Sequence, residues 1–227
     1  MKKLYIIHGW TYTVEPWAKT LELLKTEYGV TAEMLHVPGL TANSNQVWTI
    51  DEYVDWANQQ LPADAIVLGH SNGGRILLNL SIKYPDKLKH LILLNSAGVY
   101  EKSRKRDLLK AASKLSAPLK KSAMLRKVFH KLIGAADYER APEHMKQTLS
   151  NMLESDKYLK LEQVKTPVSI LWGEKDTVTP LRQAKKLQAA LPDATLQTYR
   201  NWNHAPYIVD PSGLARAINR VLENLEK

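Results

Sequence analysis

The sequence predicts an α/β fold, a doubly wound parallel sheet with helices on both faces. Four short apolar runs lack the alternation of apolar and polar residues, which is typical of strands buried on both faces. Segments of helical periodicity separate these runs, and alternating strands and helices favour a parallel sheet. The four runs are residues 4–7, 65–68, 91–94 and 168–172, and weaker strand candidates lie at 32–37 and 194–199.

The predicted helices are marked by apolar stripes and by signals at their ends. Proline suits the first helical turn, and a threonine three residues before a glutamate has the spacing of a capping box. Helices are therefore predicted to begin near Pro16, at Thr49-x-x-Glu52, after Gly73 and at Asp210-Pro211. Asp210 is the expected N-cap of the last helix.

The composition excludes several classes of protein and site. The chain has 227 residues, 44% of them apolar and 24% charged, which is ordinary for a globular domain. It has no Cys, so thiolate catalysis and Cys-ligated zinc are excluded and a reducing compartment, the cytoplasm, is expected. No apolar run is long enough to span a bilayer. No phosphate-binding or dinucleotide-binding glycine motif is present, and no cofactor or metal is expected.

A candidate nucleophile follows the second strong strand candidate. Residues 69–74 read Gly-His-Ser-Asn-Gly-Gly and come directly before a predicted helix. This is the G-x-S-x-G pattern of a nucleophile elbow, in which a tight strand-to-helix turn holds the serine above the edge of the sheet. The pattern alone is weak, but its place between a strand and a helix makes Ser71 the predicted nucleophile.

A serine needs a base and a group that orients the base, and both follow later in the chain. Asp176 comes after the strand at 168–172, and His204 comes after the strand at 194–199. Both loops are expected at the carboxyl edge of the sheet, and the order Ser, Asp, His is one that accompanies a nucleophile elbow. Glu174 and Asp193 are interpreted as solvated loop charges.

The backbone amides of Trp10 and Asn72 are the predicted oxyanion hole. Trp10 follows His8-Gly9 at the end of the first strand, where a glycine lets the backbone approach the site. Asn72 follows the nucleophile directly. Amides aimed at a developing negative charge are what acyl transfer requires.

Together these motifs resemble the α/β-hydrolase family over nearly the full chain. The matching segments are His8-Gly9-Trp10, Gly69 to Gly74, Trp172-Gly173-Glu174-Lys175-Asp176 and Asn203-His204. The resemblance implies a six-stranded, wholly parallel sheet that lacks the first two strands of the family, with a helical cap inserted from Val99. It also implies the triad Ser71, Asp176 and His204. Some members take their acid from the preceding strand, but Asn95-Ser96 offers no carboxylate there.

The predicted cap carries the net charge of the protein. Residues 99–165 contain helical stripes but no strand-like run, so the division is a core of residues 1–98 and 166–227 and a cap of residues 99–165. Residues 99–135 hold eleven basic and two acidic residues, which equals the net charge of +9 for the whole chain. A stripe from Leu125 to Ile133 is expected to cover the active-site cleft while its lysines and arginines face water.

The predicted activity is hydrolysis of a carboxylic ester through an acyl-enzyme, with a small-molecule ester as substrate. Three alternatives stay open: a carbon–carbon hydrolase of ring-cleavage diketones, an esterase of acyl-carrier-protein-linked substrates, and a hydrolase-like binding protein without catalysis. The basic cap is expected to be a solvated face, with an acidic carrier protein or an anionic membrane surface as the alternative partner. Nucleic acid is not expected, because no aromatic residues interleave the basic ones.

Overall fold

The computed structural model of the protein describes residues 2–100 and 141–226. In this part of the chain six strands and seven helices alternate, with further short 3-10 turns at Glu15–Trp17 and Leu161–Gln163. The strands are β1 Lys2–Ile7, β2 Val30–Leu35, β3 Ala65–His70, β4 Leu88–Leu94, β5 Val168–Gly173 and β6 Ala194–Tyr199. The helices are α1 Ala18–Tyr28, α2 Ile50–Gln60, α3 Asn72–Lys83, α4 Glu143–Ser155, α5 Leu181–Ala190, α6 Pro206–Val209 and α7 Pro211–Asn224.

The six strands form one sheet in the order β2-β1-β3-β4-β5-β6. Every neighbouring pair is parallel. The predicted fold class, an α/β fold with a six-stranded parallel sheet, is therefore confirmed. Because all strands run the same way, the loops after β1, β3, β5 and β6 meet at one edge of the sheet.

Two hydrophobic clusters cover the two faces of the sheet, as the non-alternating apolar strands predict. One face packs against α2, α3, α4 and α5, and its cluster includes Tyr53, Ile76 and Leu187. The other face packs against α1 and α7 and includes Leu24 and Ile218. Burial on both faces fixes the position of each strand along its own axis, and so fixes where each loop leaves the carboxyl edge.

Two predicted helix caps are confirmed, whereas α3 begins at Asn72, before the predicted start after Gly73, and the strand candidate at 32–37 is displaced. The Thr49 side chain accepts a hydrogen bond from the Glu52 amide while Glu52 reaches back to Thr49, which is the predicted capping box. Asp210 caps α7 through the Gly213 amide. Strand β2 begins at Val30 and ends at Leu35, two residues earlier at each end than predicted, because the chain turns at Gly29 with φ +64° and closes a second turn after Val37.

Most of the predicted cap lies outside the described residues, which resume at Ala141. All eleven basic residues of 99–135 and the stripe from Leu125 to Ile133 fall in the part that is not described. The described end of the segment contains α4, whose Met145, Leu149 and Met152 are fully buried in the cluster that also includes Tyr53 and Ile76. The Thr148 hydroxyl accepts a hydrogen bond from the Trp48 amide at 2.9 Å. Across residues 2–100 and 141–226, no helix is both long and apolar enough to cross a membrane.

Candidate active site

The predicted nucleophile sits in a strained turn between β3 and α3. Ser71 has φ +51° and ψ −116°, a conformation that side chains other than glycine adopt at an energetic cost. Its amide donates to the Leu94 carbonyl at 3.2 Å, and its carbonyl accepts from the Ala97 amide at 2.9 Å. Gly73 allows α3 to lie against β1, because a Cβ atom there would overlap the Ile7 carbonyl oxygen. Main-chain packing therefore holds Ser71 in place.

The three side chains that the sequence predicts to act together lie in one hydrogen-bonded line. The Ser71 Oγ lies 3.1 Å from the His204 Nε2. The His204 Nδ1 lies 2.8 Å from Asp176 Oδ2. A carboxylate can only accept, so His204 carries its proton on Nδ1 and presents Nε2 as the acceptor for the Ser71 hydroxyl.

The carboxylate of Asp176 is buried and fully bonded. Its Oδ1 accepts hydrogen bonds from the amides of Val178 at 2.7 Å and Thr179 at 2.9 Å. Its Oδ2 accepts from the Thr179 hydroxyl at 2.7 Å as well as from His204. Burial works to raise the pKa of Asp176, but the bond to His204 and its charge, followed by the Thr179 bonds, outweigh burial and lower the pKa below its usual value. The folded structure therefore favours the carboxylate form of Asp176, the form that accepts the His204 Nδ1 proton.

The loop after β1 approaches the nucleophile closely enough to require glycine. A Cβ atom on Gly9 would lie 2.9 Å from the Ser71 Cβ and 2.8 Å from the His70 Nδ1. The His8 Nδ1 donates to the Gly9 carbonyl at 2.7 Å, and its Nε2 lies 2.7 Å from the Thr41 hydroxyl. The Trp10 amide belongs to the same trans peptide as the Gly9 carbonyl, so His8 fixes the orientation of that amide.

A small cavity opens beside Ser71 at the carboxyl edge. It is lined by Gly9, Trp10, Thr11, His70, Ser71, His204 and Tyr207. Asn72 is the first residue of α3, and the amides of a first helical turn have no acceptor within the helix. The two amides predicted for the oxyanion hole thus belong to the β1 loop, which lines the cavity at Trp10, and to the start of α3, directly after Ser71.

The other acidic and histidine side chains that the sequence makes candidates for the site, apart from His8 and His70, lie outside this arrangement. Glu174 and Asp193 are exposed, as predicted, and Asp210 binds the Trp202 indole at 2.8 Å in addition to capping α7. His36 is exposed, His90 is buried against the Ser169 hydroxyl at 2.9 Å, and His130 lies outside the described residues. Within the described ranges no group of three His, Asp, Glu or Cys residues could hold a metal ion.

Sequence reasoning missed three residues that contact the site. Thr179 bonds the Asp176 carboxylate, and the side chains of His70 and Asn95 bond the backbone around His204. From the sequence, Asn95 stands only at a position where an alternative acid could lie. The bonds of His70 and Asn95 to the loop of His204 join residues 134 and 108 positions apart, and no periodic or local pattern indicates such pairs. Thr179 follows Asp176 by three residues, a spacing that a loop turn could have suggested.

Comparison with known proteins agrees with the fold. The family model described as serine aminopeptidase, S33, matches residues 35–211. The pimeloyl-[acyl-carrier protein] methyl ester esterase of Chromobacterium violaceum is 24% identical over an alignment of 245 residues, covering 96% of this chain and 93% of that protein. The enzyme of the same name from Aliivibrio salmonicida is 24% identical, covering 97% and 92%.

Solved structures show the same architecture. The α/β hydrolase MGS-MChE2, from a metagenome of lagoon sediments, superposes with a TM-score of 0.74 at 17% identity and covers 100% of this chain and 92% of its own. The thermophilic esterase from Thermogutta terrifontis gives a TM-score of 0.69 at 19% identity, covering 100% and 91%. The comparisons confirm the predicted α/β-hydrolase fold and the prediction that the chain is an enzyme of the serine hydrolase type.

Proposed function

Since the chain belongs to the serine aminopeptidase S33 family of α/β-hydrolases, we propose that it hydrolyses a carboxylic ester through an acyl-enzyme on Ser71. The observation that carries the proposal is the line of hydrogen bonds from Asp176 through His204 to Ser71, 2.8 Å and 3.1 Å long. The line ends at a cavity where an ester carbonyl can approach the Ser71 hydroxyl.

In the first half of the reaction, Ser71 Oγ attacks the ester carbonyl carbon. His204 Nε2 accepts the hydroxyl proton and then donates it to the departing alcohol oxygen. Asp176 stabilises the imidazolium and keeps the remaining proton on Nδ1. In the second half, His204 takes a proton from water, which attacks the acyl-enzyme, and returns that proton to Ser71 as the acid leaves.

The tetrahedral intermediate places a negative charge on the former carbonyl oxygen. The amides of Trp10 and Asn72 are the proposed donors to this oxyanion. The bond from His8 to the Gly9 carbonyl supports this role, because it holds the peptide that carries the Trp10 amide before substrate arrives. Preorganised donors stabilise developing charge without reorganising during the reaction.

The lining of the cavity favours an ester over the free amino terminus of a peptide. An aminopeptidase substrate brings an ammonium group that a carboxylate would be expected to bind close to the scissile bond. Among the described residues that line the cavity, none carries a carboxylate. The family description therefore supports acyl transfer by serine, while the lining supports an uncharged acyl group near Ser71.

The test replaces Ser71 by Ala and measures turnover of a short activated ester. We expect turnover to fall to background, and labelling by a fluorophosphonate to disappear. Ser81→Ala is the matched control, because Ser81 is a buried serine on α3 whose hydroxyl donates to the Leu77 carbonyl of the same helix. Turnover that survives in Ser71→Ala would overturn the proposal, because another group would then be the nucleophile. A native protein that neither hydrolyses esters nor reacts with fluorophosphonate would overturn it in favour of a binding protein.

A carrier-linked ester is the proposed natural substrate class. The support is the name shared by several relatives, which act on a pimeloyl-[acyl-carrier protein] methyl ester, together with the eleven basic residues of 99–135. An acyl-carrier protein is acidic in character, so attraction to a basic segment would raise kcat/KM at low salt. The experiment measures kcat/KM for a methyl ester presented free and for the same ester on an acyl-carrier protein, each at low and high salt. Equal kcat/KM for both forms at low salt would rule out the carrier.

A further inference from the structure

The proposed base stands on a loop without regular secondary structure. Residues 200–205 connect β6 to α6, and His204 must hold its ring between Ser71 and Asp176. The backbone carbonyls on either side of the His204 α-carbon are each bonded by a side chain from another part of the sheet. Those two side chains are Asn95 and His70.

Asn95 joins the loop of the base to the loop of the acid. Its Nδ2 donates to the Asn203 carbonyl at 2.7 Å, and its Oδ1 accepts from the Gly173 amide at 2.8 Å. An amide N–H can only donate and a carbonyl can only accept, so these partners leave one orientation for the Asn95 side chain. Asn95 is fully buried and has φ +43°, a conformation that Asn and Asp tolerate better than most residues.

His70 holds the other carbonyl. Its Nε2 donates to the His204 carbonyl at 2.8 Å, which places the only ring proton of the neutral imidazole on Nε2. The ring is buried edge-on against Trp17 and Tyr207. His70 directly precedes Ser71, so this bond ties the base to the strand that carries the nucleophile.

We propose that Asn95 and His70 are positioning residues that hold the catalytic base by its two flanking backbone carbonyls. The proposal rests on the proposed function, in which His204 is that base. Asn95 sets the distance of His204 from the acid loop, and His70 sets its distance from the nucleophile. Loss of either donor leaves a carbonyl near the site without its partner and lets the imidazole move away from the line between Asp176 and Ser71.

Asn95→Asp is the sharpest test, because it keeps the size of the side chain and its tolerance of the backbone conformation. The ionised carboxylate still accepts from the Gly173 amide but repels the Asn203 carbonyl. The protonated acid would again donate to that carbonyl. At pH 8 we expect kcat on a short neutral ester to fall about tenfold or more, with KM within twofold. The deficit relative to native protein should shrink as pH falls, because buried carboxyl groups protonate more readily.

Asn79→Asp is the matched control for this variant. The Asn79 side chain also donates to a backbone carbonyl, that of Arg75 at 2.9 Å, but it lies on α3 and does not contact the loop of the base. We expect its kcat to equal that of the native protein at every pH. A general loss of stability would affect both variants, whereas a pH-dependent ratio should appear only in Asn95→Asp.

His70→Phe and His70→Gln form a second, independent pair. Phenylalanine keeps a ring between Trp17 and Tyr207 but removes the donor, and we expect kcat to fall about tenfold. Glutamine keeps an N–H at a similar distance from the backbone, and we expect kcat within about threefold of native. If Asn95→Asp does not fold, this pair decides the question.

Ser71→Ala is measured alongside to separate the two claims. Ester turnover that survives in Ser71→Ala overturns the proposed function and this inference with it. If Ser71→Ala is inactive while folded Asn95→Asp and His70→Phe keep kcat within twofold of native, the inference alone is wrong. A deficit in Asn95→Asp that stays constant with pH, together with equal kcat in the two His70 variants, would also overturn it.

Discussion

Ser71, the proposed nucleophile, and His204, the proposed base, lie 3.1 Å apart, yet the fold holds them in different ways. The amide and carbonyl of Ser71 bond to main-chain groups of Leu94 and Ala97, in a turn between a strand and a helix. The carbonyl of His204 and that of Asn203 bond to the side chains of His70 and Asn95, in a loop without regular structure. Main chain therefore fixes the nucleophile, and side chains fix the base.

This difference separates stability from activity. The turn at Ser71 is continuous with β3 and α3, so a change there disturbs the sheet and the site together. The loop of the base anchors itself in the core through Trp202, whereas Asn95 and His70 bond only its backbone carbonyls. A change in Asn95 or His70 should therefore alter the position of His204 more than the folding of the core. Variants of the two regions should differ accordingly, and they follow from the largest expected effect to the smallest.

Gly73→Ala should abolish stable folding and activity together. A Cβ atom at this position would overlap the Ile7 carbonyl oxygen of β1, which is backbone and cannot rotate away. We expect the free energy of unfolding to fall by roughly 5 kcal/mol, since separation of α3 from β1 disrupts the core. Thermal or urea unfolding measures the loss. Gly29→Ala is the control, because a Cβ atom there meets no neighbouring atom within 4 Å, so only the strain of its left-handed backbone is added. A folded but inactive Gly73→Ala would contradict the expected coupling.

Asp176→Asn should remove activity and leave the fold nearly intact. The asparagine still accepts the amides of Val178 and Thr179, but it no longer stabilises an imidazolium and it favours the wrong tautomer of His204. We expect kcat to fall about 10³-fold or more, equivalent to ~4 kcal/mol on the barrier. The control is Glu174→Gln, which removes an exposed carboxylate two residues away in the same loop. A small loss in Asp176→Asn would mean that another group orients the base.

The same contrast explains how far the sequence could predict the site. The elbow was found because its signals are local: glycines at fixed spacing, a strand before and a helix after. Asp176 and His204 are predicted from their place after strands and their order in the chain, and the structure brings them within 2.8 Å of each other. The bonds of Asn95 and His70 join residues 108 and 134 positions apart, and each depends on where two different loops end. No local pattern predicts a contact between residues so far apart in the chain. From the sequence alone, Asn95 matters only as a position where an alternative triad acid could stand. Residues 101–140 lie outside the described structure, so the cap stays a prediction there.

Acidification should destabilise the folded protein through two buried histidines, one bonded to the loop of the base and one on the β1 loop. Burial lowers the pKa of His70, beside the base, to about 3 and that of His8, beside the β1 loop, to about 4. Unfolded histidine binds a proton below about pH 6.5, whereas these two stay neutral in the folded protein until the pH reaches 3 to 4. The unfolded state thus binds more protons in this window, so stability falls as the pH falls from 6.5.

At pH 5 the expected loss is about 2 kcal/mol for each of the two histidines. Urea unfolding at pH 7 and pH 5 measures the total, and His70→Gln should reduce the loss by about half because glutamine does not titrate. The Asp176 carboxyl, whose pKa is lowered, adds to the loss only below its unfolded value of about 3.8. A His70→Gln variant with the full native pH dependence would show that His70 is not neutral in the folded state.

Asp210→Ala should have the smallest effect, and it tests whether the loop of the base is held from its outer end as well. Asp210 caps α7 through the Gly213 amide at 2.9 Å and accepts the Trp202 indole N–H at 2.8 Å. Loss of the cap and of one hydrogen bond should lower the free energy of unfolding by about 1–2 kcal/mol. Trp202 should keep its place, because it is buried and stacks on Tyr199 at 3.7 Å between ring centres. Since Asn95 and His70 still bond the carbonyls beside His204, we expect kcat within twofold of native.

Thr49→Ala, which removes the cap of α2 far from the site, should lower the free energy of unfolding by about 1 kcal/mol with the same unchanged kcat. A fall in kcat in Asp210→Ala as large as that in Asn95→Asp would place the support of the base at the Trp202 end of the loop instead of at the two carbonyls.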